Sequence, residues 1–223
     1  MVVCAWEVTP EDPQQDGVVV NTLGSYPRER GCKSCSCFQI DNPAMRGVFC
    51  ARRCQDRPMI DADHLRREIV APVLRHIGMW SEAAENLLLG TAAVESRMGT
   101  YLRQIGGPAL GIWQVEPATH LDCWDNWLDY RPDAARLVLD LVPRIYRLPD
   151  DSPMPVDPQA LASCPLYCCA IARIVYRRAP EPLPAPTDWA ALEAYHKRRY
   201  NTVAGKTKLG EFIAACKACG VMA

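Results

Sequence analysis

The segment Glu82-Ala-Ala-Glu-Asn-Leu-Leu-Leu-Gly-Thr-Ala-Ala-Val-Glu95 constrains the chain more than any other. Beyond Asn86 it is apolar around most of a helical circumference, and Ser81 is placed to cap its start. A helix without a polar face is expected to be the buried central helix of its domain. The remaining elements then pack around it, and its last residue, Glu95, brings a carboxylate to the edge of that interior.

The flanking sequence supplies those elements. Asp61 caps a run in which Leu65, Ile69, Val70, Val73, Leu74 and Ile77 recur at helical spacing; Pro72 predicts a kink and Gly78 a C-terminal stop. A third helix is expected from Pro117 to about Leu128 and a fourth from Asp133 to about Leu141. Residues 148–158, rich in proline and aspartate, read as a surface loop. Gln159–Arg178 is a long helix that either holds Pro165 in its first turns or breaks there. The alternating prolines of 180–186 form a stiff connector. Thr187 or Asp188 then caps Trp189–Arg199, and a helix over Leu209–Cys219 closes the chain. The fold class is therefore all-α, in a domain covering 59–223. No run of 18 apolar residues exists, so no membrane span is expected. The first residues lack a basic stretch followed by an apolar core, so no signal peptide is expected. A net charge of −1 offers no electrostatic footing for nucleic acid.

Residues 1–58 differ, being loop-rich and holding half of the twelve cysteines. Cys32, Cys35, Cys50 and Cys54 have spacings compatible with tetrahedral structural zinc. Free thiols, or disulfides in an extracellular particle, are the competing readings. Either way, 1–58 is expected to be an extension, stabilised by metal or docked on a partner. Cys164, Cys168, Cys169, Cys216 and Cys219 lie in apolar helical surroundings and read as buried thiols.

Glu95 invites a chemical reading. Protonating a glycosidic oxygen near neutral pH requires a carboxyl group whose pKa is raised by an apolar setting. The preceding leucines and alanines provide that setting, and the negative end of the helix dipole acts in the same direction. The competing reading is that Glu95 is simply the first solvated residue after a buried run.

Glu95-Ser96, followed by Gly111-Ile-Trp-Gln114-Val-Glu116-Pro117-Ala-Thr119, resembles the soluble lytic transglycosylase and goose-type lysozyme family. Trp113 and Glu116 stand where that family usually has methionines. Tyr200-Asn201 matches its late Tyr-Asn pair, with the usual following glycine displaced to Gly205 and Tyr195 as a rival tyrosine. Gly90-Thr-Ala-Ala-Val-Glu95-Ser96, Gln104-Ile-Gly-Gly-Pro-Ala-Leu-Gly111 and Gln114-Val-Glu-Pro-Ala-Thr-His120 are also similar to stretches in lysozyme-like proteins of tailed bacteriophages. The resemblance implies a lysozyme-like fold and cleavage of the MurNAc-GlcNAc bond of peptidoglycan. It implies Glu95 as the acid, with Ser96, Gln114, Glu116, Tyr200 and Asn201 around the substrate. It further implies a place in the phage virion beside other virion proteins, and no cofactor for catalysis. A structural virion protein keeping the fold without the activity is the alternative. Glu116 is the candidate second carboxylate for a hydrolytic route; a first-turn helix acid is its plainer reading. Tyr101, Trp113, Trp124 and Trp127 are candidate sugar-stacking aromatics, although at helical spacing Trp124 and Trp127 fit a core better. His120 is expected on a helix surface.

Overall fold

The computed structural model describes residues 58–200 and 209–222, together with the backbone of 37–39 and 48–50. Asn201, and the side chains of Cys32, Cys35, Cys50 and Cys54, lie outside the described residues. The chain divides into two compact units, Met1–Arg52 and Arg53–Ala223. In the first, β1 (Cys37–Gln39) pairs antiparallel with β2 (Val48–Cys50), placing Cys37 opposite Cys50. In the second, helices carry the regular structure among the described residues. None of them is long and apolar enough to cross a membrane.

Helix α1 runs over 62–76 as Ala62–Leu65, a π-turn Arg66–Val70, and Ala71–His76. Asp61 caps it by accepting from the Asp63 and His64 amides at 3.0 and 3.1 Å. The irregularity expected at Pro72 takes the form of that π-turn. Pro72 has no N–H to offer the preceding turn, and Ala71 instead reaches back five residues to the Arg66 carbonyl. Gly78, at φ +66°, ends the helix, and the Met79 amide bonds back to the Leu74 carbonyl at 2.8 Å.

Helix α2 (Glu82–Ser96) starts at Ser81, whose hydroxyl accepts from the Ala84 amide. Leu87, Leu88, Leu89, Ala92 and Ala93 are all buried. The surrounding shell comprises α3 (Pro117–Cys123, continued by a π-turn Trp124–Leu128), α4 (Pro132–Leu139), α5 (Ala160–Ser163), α6 (Pro165–Arg177), α7 (Trp189–Arg199) and α8 (Glu211–Ala218). Helix α2 touches α1, α6, α7 and α8 directly, as a helix without a polar face must.

Three local choices fix this packing. Cys164 adopts an extended conformation (φ −122°, ψ 94°), so Pro165 breaks the 159–178 run and becomes the first residue of α6. Asp188, rather than Thr187, caps α7 by accepting from the Ala191 amide. The start of α8 is capped at a distance: Glu193 of α7, itself buried, accepts from the amides of Gly210, Phe212 and Ile213. A carboxylate there satisfies orphan donors and the positive end of the dipole.

Helix α8 also lies against α2 at Gly90. A Cβ on Gly90 would stand 2.0 Å from Cζ of the buried Phe212 ring. Alanine favours helix by about 1 kcal/mol over glycine, but overpacking a core costs about 1–3 kcal/mol. Gly90→Ala is therefore expected to lower stability in urea melts; a variant as stable as the parent would refute the close approach of α8.

His120 and Trp113 correct two expectations. His120 is fully buried on the face of α3 that meets α6, where its Nε2 pairs with the Tyr167 hydroxyl, which also accepts from Trp124 Nε1 at 2.9 Å. Trp113 is fully buried as well, and its indole N–H donates to the Leu88 carbonyl of α2 at 2.9 Å. It props the turn on the central helix and has no face for a sugar. Trp124 and Trp127 are core residues.

Candidate active site

Glu95 sits in the last turn of α2, with 23% of its side-chain surface exposed. Burial pushes its carboxyl pKa up from 4.5 to about 7. Just beyond it the backbone turns sharply. Arg97, Met98 and Gly99 all have positive φ (51°, 57° and 84°). For the two non-glycine residues this left-handed conformation costs roughly 1–2 kcal/mol each. The cost is met by contacts: the Arg97 and Met98 amides both reach the Ala92 carbonyl, and the Met98 side chain is fully buried.

The chain then folds into a tight loop against the end of α2. Leu110 pairs antiparallel with both Arg103 and Val115, and exchanges two 2.9 Å bonds with Val115. Ser96 ties this loop to the helix: its hydroxyl donates to the Ile112 carbonyl at 2.6 Å and accepts from the Gly99 amide at 2.8 Å. It is buried, so it positions the loop and is not open to a ligand. Gln114, at φ +48°, donates through Nε2 to the carbonyls of Gly111 (2.7 Å) and Tyr101 (3.1 Å). Its amide nitrogen thus holds the turn together. Tyr101 remains exposed beside it, along with Leu102 and Ile105. Glu116 is exposed just before α3 and makes no capping bond with its side chain.

Tyr200 and Tyr195 part company. Tyr200, just past α7, donates its hydroxyl to the Trp113 carbonyl at 2.7 Å and stacks on Tyr176 (centroids 5.1 Å apart) and His196 (5.6 Å). Tyr195 is directed elsewhere, toward the carbonyls of Tyr176 and Glu181. Of the two tyrosines, Tyr200 joins the motif turn.

One member of the site was not singled out from the sequence. His196 of α7 is fully buried, with Nε2 3.6 Å from Glu95 Oε1. Its Nδ1 lies 2.8 Å from the Tyr176 hydroxyl and 3.4 Å from Thr91 Oγ1. Burial lowers its pKa to about 4, so the ring is neutral at neutral pH. A histidine in a helix beside Lys197, Arg198 and Arg199 looks like part of a solvated basic face. Its partners come from α2 and α6, which local sequence does not bring together. Among the described residues no cluster of His, Cys, Asp and Glu could hold a metal.

These groups set a pH dependence of stability. His196 and His120 both have pKa values lowered to about 4 by burial, against 6.5 in an open chain. Below pH 6.5 the unfolded chain takes up protons that the native protein refuses. The stability held above that pH is therefore lost as pH falls through 4. Glu95 acts in the opposite sense: stability present below 4.5 is lost as pH rises through 7. Two groups oppose one, so urea midpoints are expected to fall between pH 6.5 and 4.5, and more steeply in Glu95→Gln. A midpoint flat across that range in both proteins would contradict the buried neutral histidines.

Comparison with family models, curated proteins and solved structures returns no match to this chain.

Proposed function

We propose that this protein cleaves peptidoglycan between N-acetylmuramic acid and N-acetylglucosamine, with Glu95 as the general acid. The observation that carries the reading is a largely buried carboxyl, still partly exposed, with a pKa of about 7 at the end of the central helix. Such a group holds its proton near neutral pH and can give it to a poor leaving oxygen. The order of Glu95-Ser96, the Gly111–Thr119 turn and Tyr200 supports a lysozyme-like helical fold of the transglycosylase type.

In the transglycosylase route, Glu95 donates its proton to the glycosidic oxygen as the C1–O bond breaks. The resulting carboxylate takes the proton of the muramic 6-hydroxyl while O6 bonds to C1. A 1,6-anhydro end forms, no water is consumed, and Glu95 regains its acid form. A hydrolytic route would require a second carboxylate to activate water or attack C1, and Glu116 is the candidate in the motif turn. Mass analysis of wall digests separates the two: an anhydro end marks the transglycosylase and a reducing end the muramidase.

The setting proposed is a phage virion, where the protein would open the wall beside other virion proteins. The extension over 1–58 would dock on a partner, with structural zinc on Cys32, Cys35, Cys50 and Cys54. Metal analysis of purified protein tests the zinc. A structural virion component that keeps the fold without cleavage is the second reading. It is favoured by Gln114, whose amide nitrogen is engaged by two backbone carbonyls.

A further inference from the structure

We infer that His196 is a positioning residue for Glu95: in the resting protein its Nε2 lone pair accepts a hydrogen bond from the Glu95 carboxylic acid, whose proton stays on oxygen, and Thr91 and Tyr176 fix the ring tautomer that makes this possible. The inference rests on the reading of Glu95 as the acid and assigns what holds that acid in its protonated form.

Thr91 has one hydroxyl proton and donates it to the Leu87 carbonyl at 2.7 Å. The 2.6 Å contact between Thr91 Oγ1 and the Tyr176 hydroxyl must then be a donation from Tyr176. With its proton spent, the Tyr176 oxygen can only accept from His196 Nδ1, 2.8 Å away. Nδ1 therefore carries the hydrogen, and the neutral ring offers a bare lone pair at Nε2. That atom is inaccessible to solvent, has no hydrogen-bond partner among the described residues, and faces Glu95 Oε1 across 3.6 Å. A small closure of this gap makes an O–H···N bond from a protonated carboxyl. An ionised carboxylate would meet a lone pair instead.

Among the described residues, the groups around His196 leave no other donor or acceptor for Nε2. Helix α2 presents Thr91 and Glu95, α6 presents Tyr176, the end of α7 presents Tyr200, and α8 presents the Phe212 ring. The Tyr200 hydroxyl is committed to the Trp113 carbonyl. Among the described residues the ionisable groups are thus Glu95 and two phenols; burial above all, and the Glu95 charge after it, hold Tyr176 and Tyr200 un-ionised. Burial keeps His196 neutral and Glu95 protonated, in agreement with a pair that shares one proton held on oxygen.

Thr91 offers a test that does not touch Glu95. In Thr91→Val the Tyr176 hydroxyl loses its acceptor and turns its proton to His196 Nδ1. The ring then shifts its hydrogen to Nε2, which favours the Glu95 carboxylate. The experiment is NMR of the full chain with ¹⁵N-labelled histidine and ¹³C-labelled glutamate carboxyls, without substrate. The wild type is expected to show His196 as the Nδ1–H tautomer, with Nε2 responding to the Glu95 titration. In Thr91→Val the ring should become Nε2–H and the Glu95 midpoint should fall by about one pH unit, the scale of one hydrogen bond. His196→Asn should lower that midpoint as well. A wild-type ring protonated at Nε2, or a Glu95 midpoint unmoved in both folded variants, overturns the inference. The wild-type spectrum decides alone if the variants do not fold. Intact walls with the wild-type pattern in place would remove the cleavage reading and leave the pair standing; wall cleavage with an Nε2–H ring would remove the pair alone.

Discussion

Glu95→Gln is expected to reduce muropeptide release from purified cell walls by about 10²–10⁴-fold, the usual contribution of a positioned general acid. The substitution preserves shape and a hydrogen-bonding group while removing the transferable proton. It is also expected to leave the fold intact. Above pH 7 the native carboxylate is an ionised group in a largely buried place, where burial disfavours the charge. Glutamine removes that charge, so the variant should melt no lower than the parent at pH 8 and gain stability relative to it as pH rises from 5 to 8. Lost cleavage with retained or raised thermal stability separates chemistry from collapse. Wall digestion that continues at the wild-type rate in the folded variant would end the assignment of Glu95 as the acid.

Gly111→Ala is expected to be among the most damaging single changes in the site, at about 3 kcal/mol or more. Gly111 has φ +78°, and a Cβ there would stand 2.2 Å from the Leu161 carbonyl oxygen and 2.5 Å from Cys168 Sγ. One obstacle is backbone and the other is a fully buried side chain, so neither can swing away. The turn that places Gln114 would have to lift off α5 and α6. Gly106→Ala provides the control: its φ is +74°, but nothing lies within 4 Å of the added atom. That change should cost only the left-handed penalty of roughly 1–2 kcal/mol. The difference between the two urea midpoints measures the contact alone, and equal losses would show that Gly111 is needed only for its backbone conformation.

What the chain spells out locally is what its sequence makes readable. Asp61, Ser81 and Asp188 bond to amides two or three residues ahead, and Gly78 stops α1, so helix ends follow from short-range chemistry. The apolar circumference of α2 likewise places it at the centre without reference to any partner. The sequence also leads to Glu95 as the carboxylate that ends this run, while its burial comes from what packs around the end of α2, His196 of α7 included. The histidines are a different case. His120 and His196 carry no local sign of burial, and each is buried against a tyrosine of α6, Tyr167 and Tyr176 respectively. The meeting of α6 with α3 and α7 is a tertiary event with no signature in either helix alone. Trp113 is similar: its place in the motif turn suggests an open face, whereas the geometry of the Gly111 turn sends the indole down onto the Leu88 carbonyl. For the same reason the loop at 99–116 is not legible in the sequence, since its antiparallel pairings at Leu110 are single contacts too short to leave an alternating pattern.

The buried cysteines make the helical unit its own reporter of breathing. Cys123, Cys168, Cys169 and Cys216 are sealed within it as free thiols, and burial raises the pKa of Cys123 to about 11 and those of Cys168 and Cys216 to about 12. It is the thiolate that attacks an alkylating reagent, so these sulfurs stay silent while the structure is closed and react only when it opens. They are distributed among α3, α6 and α8, and peptide-resolved labelling over time would rank those helices by how readily each detaches. Because α8 packs on the central helix at Gly90 and borrows its cap from Glu193 of α7, Cys216 reports on the element whose anchorage lies most outside its own sequence.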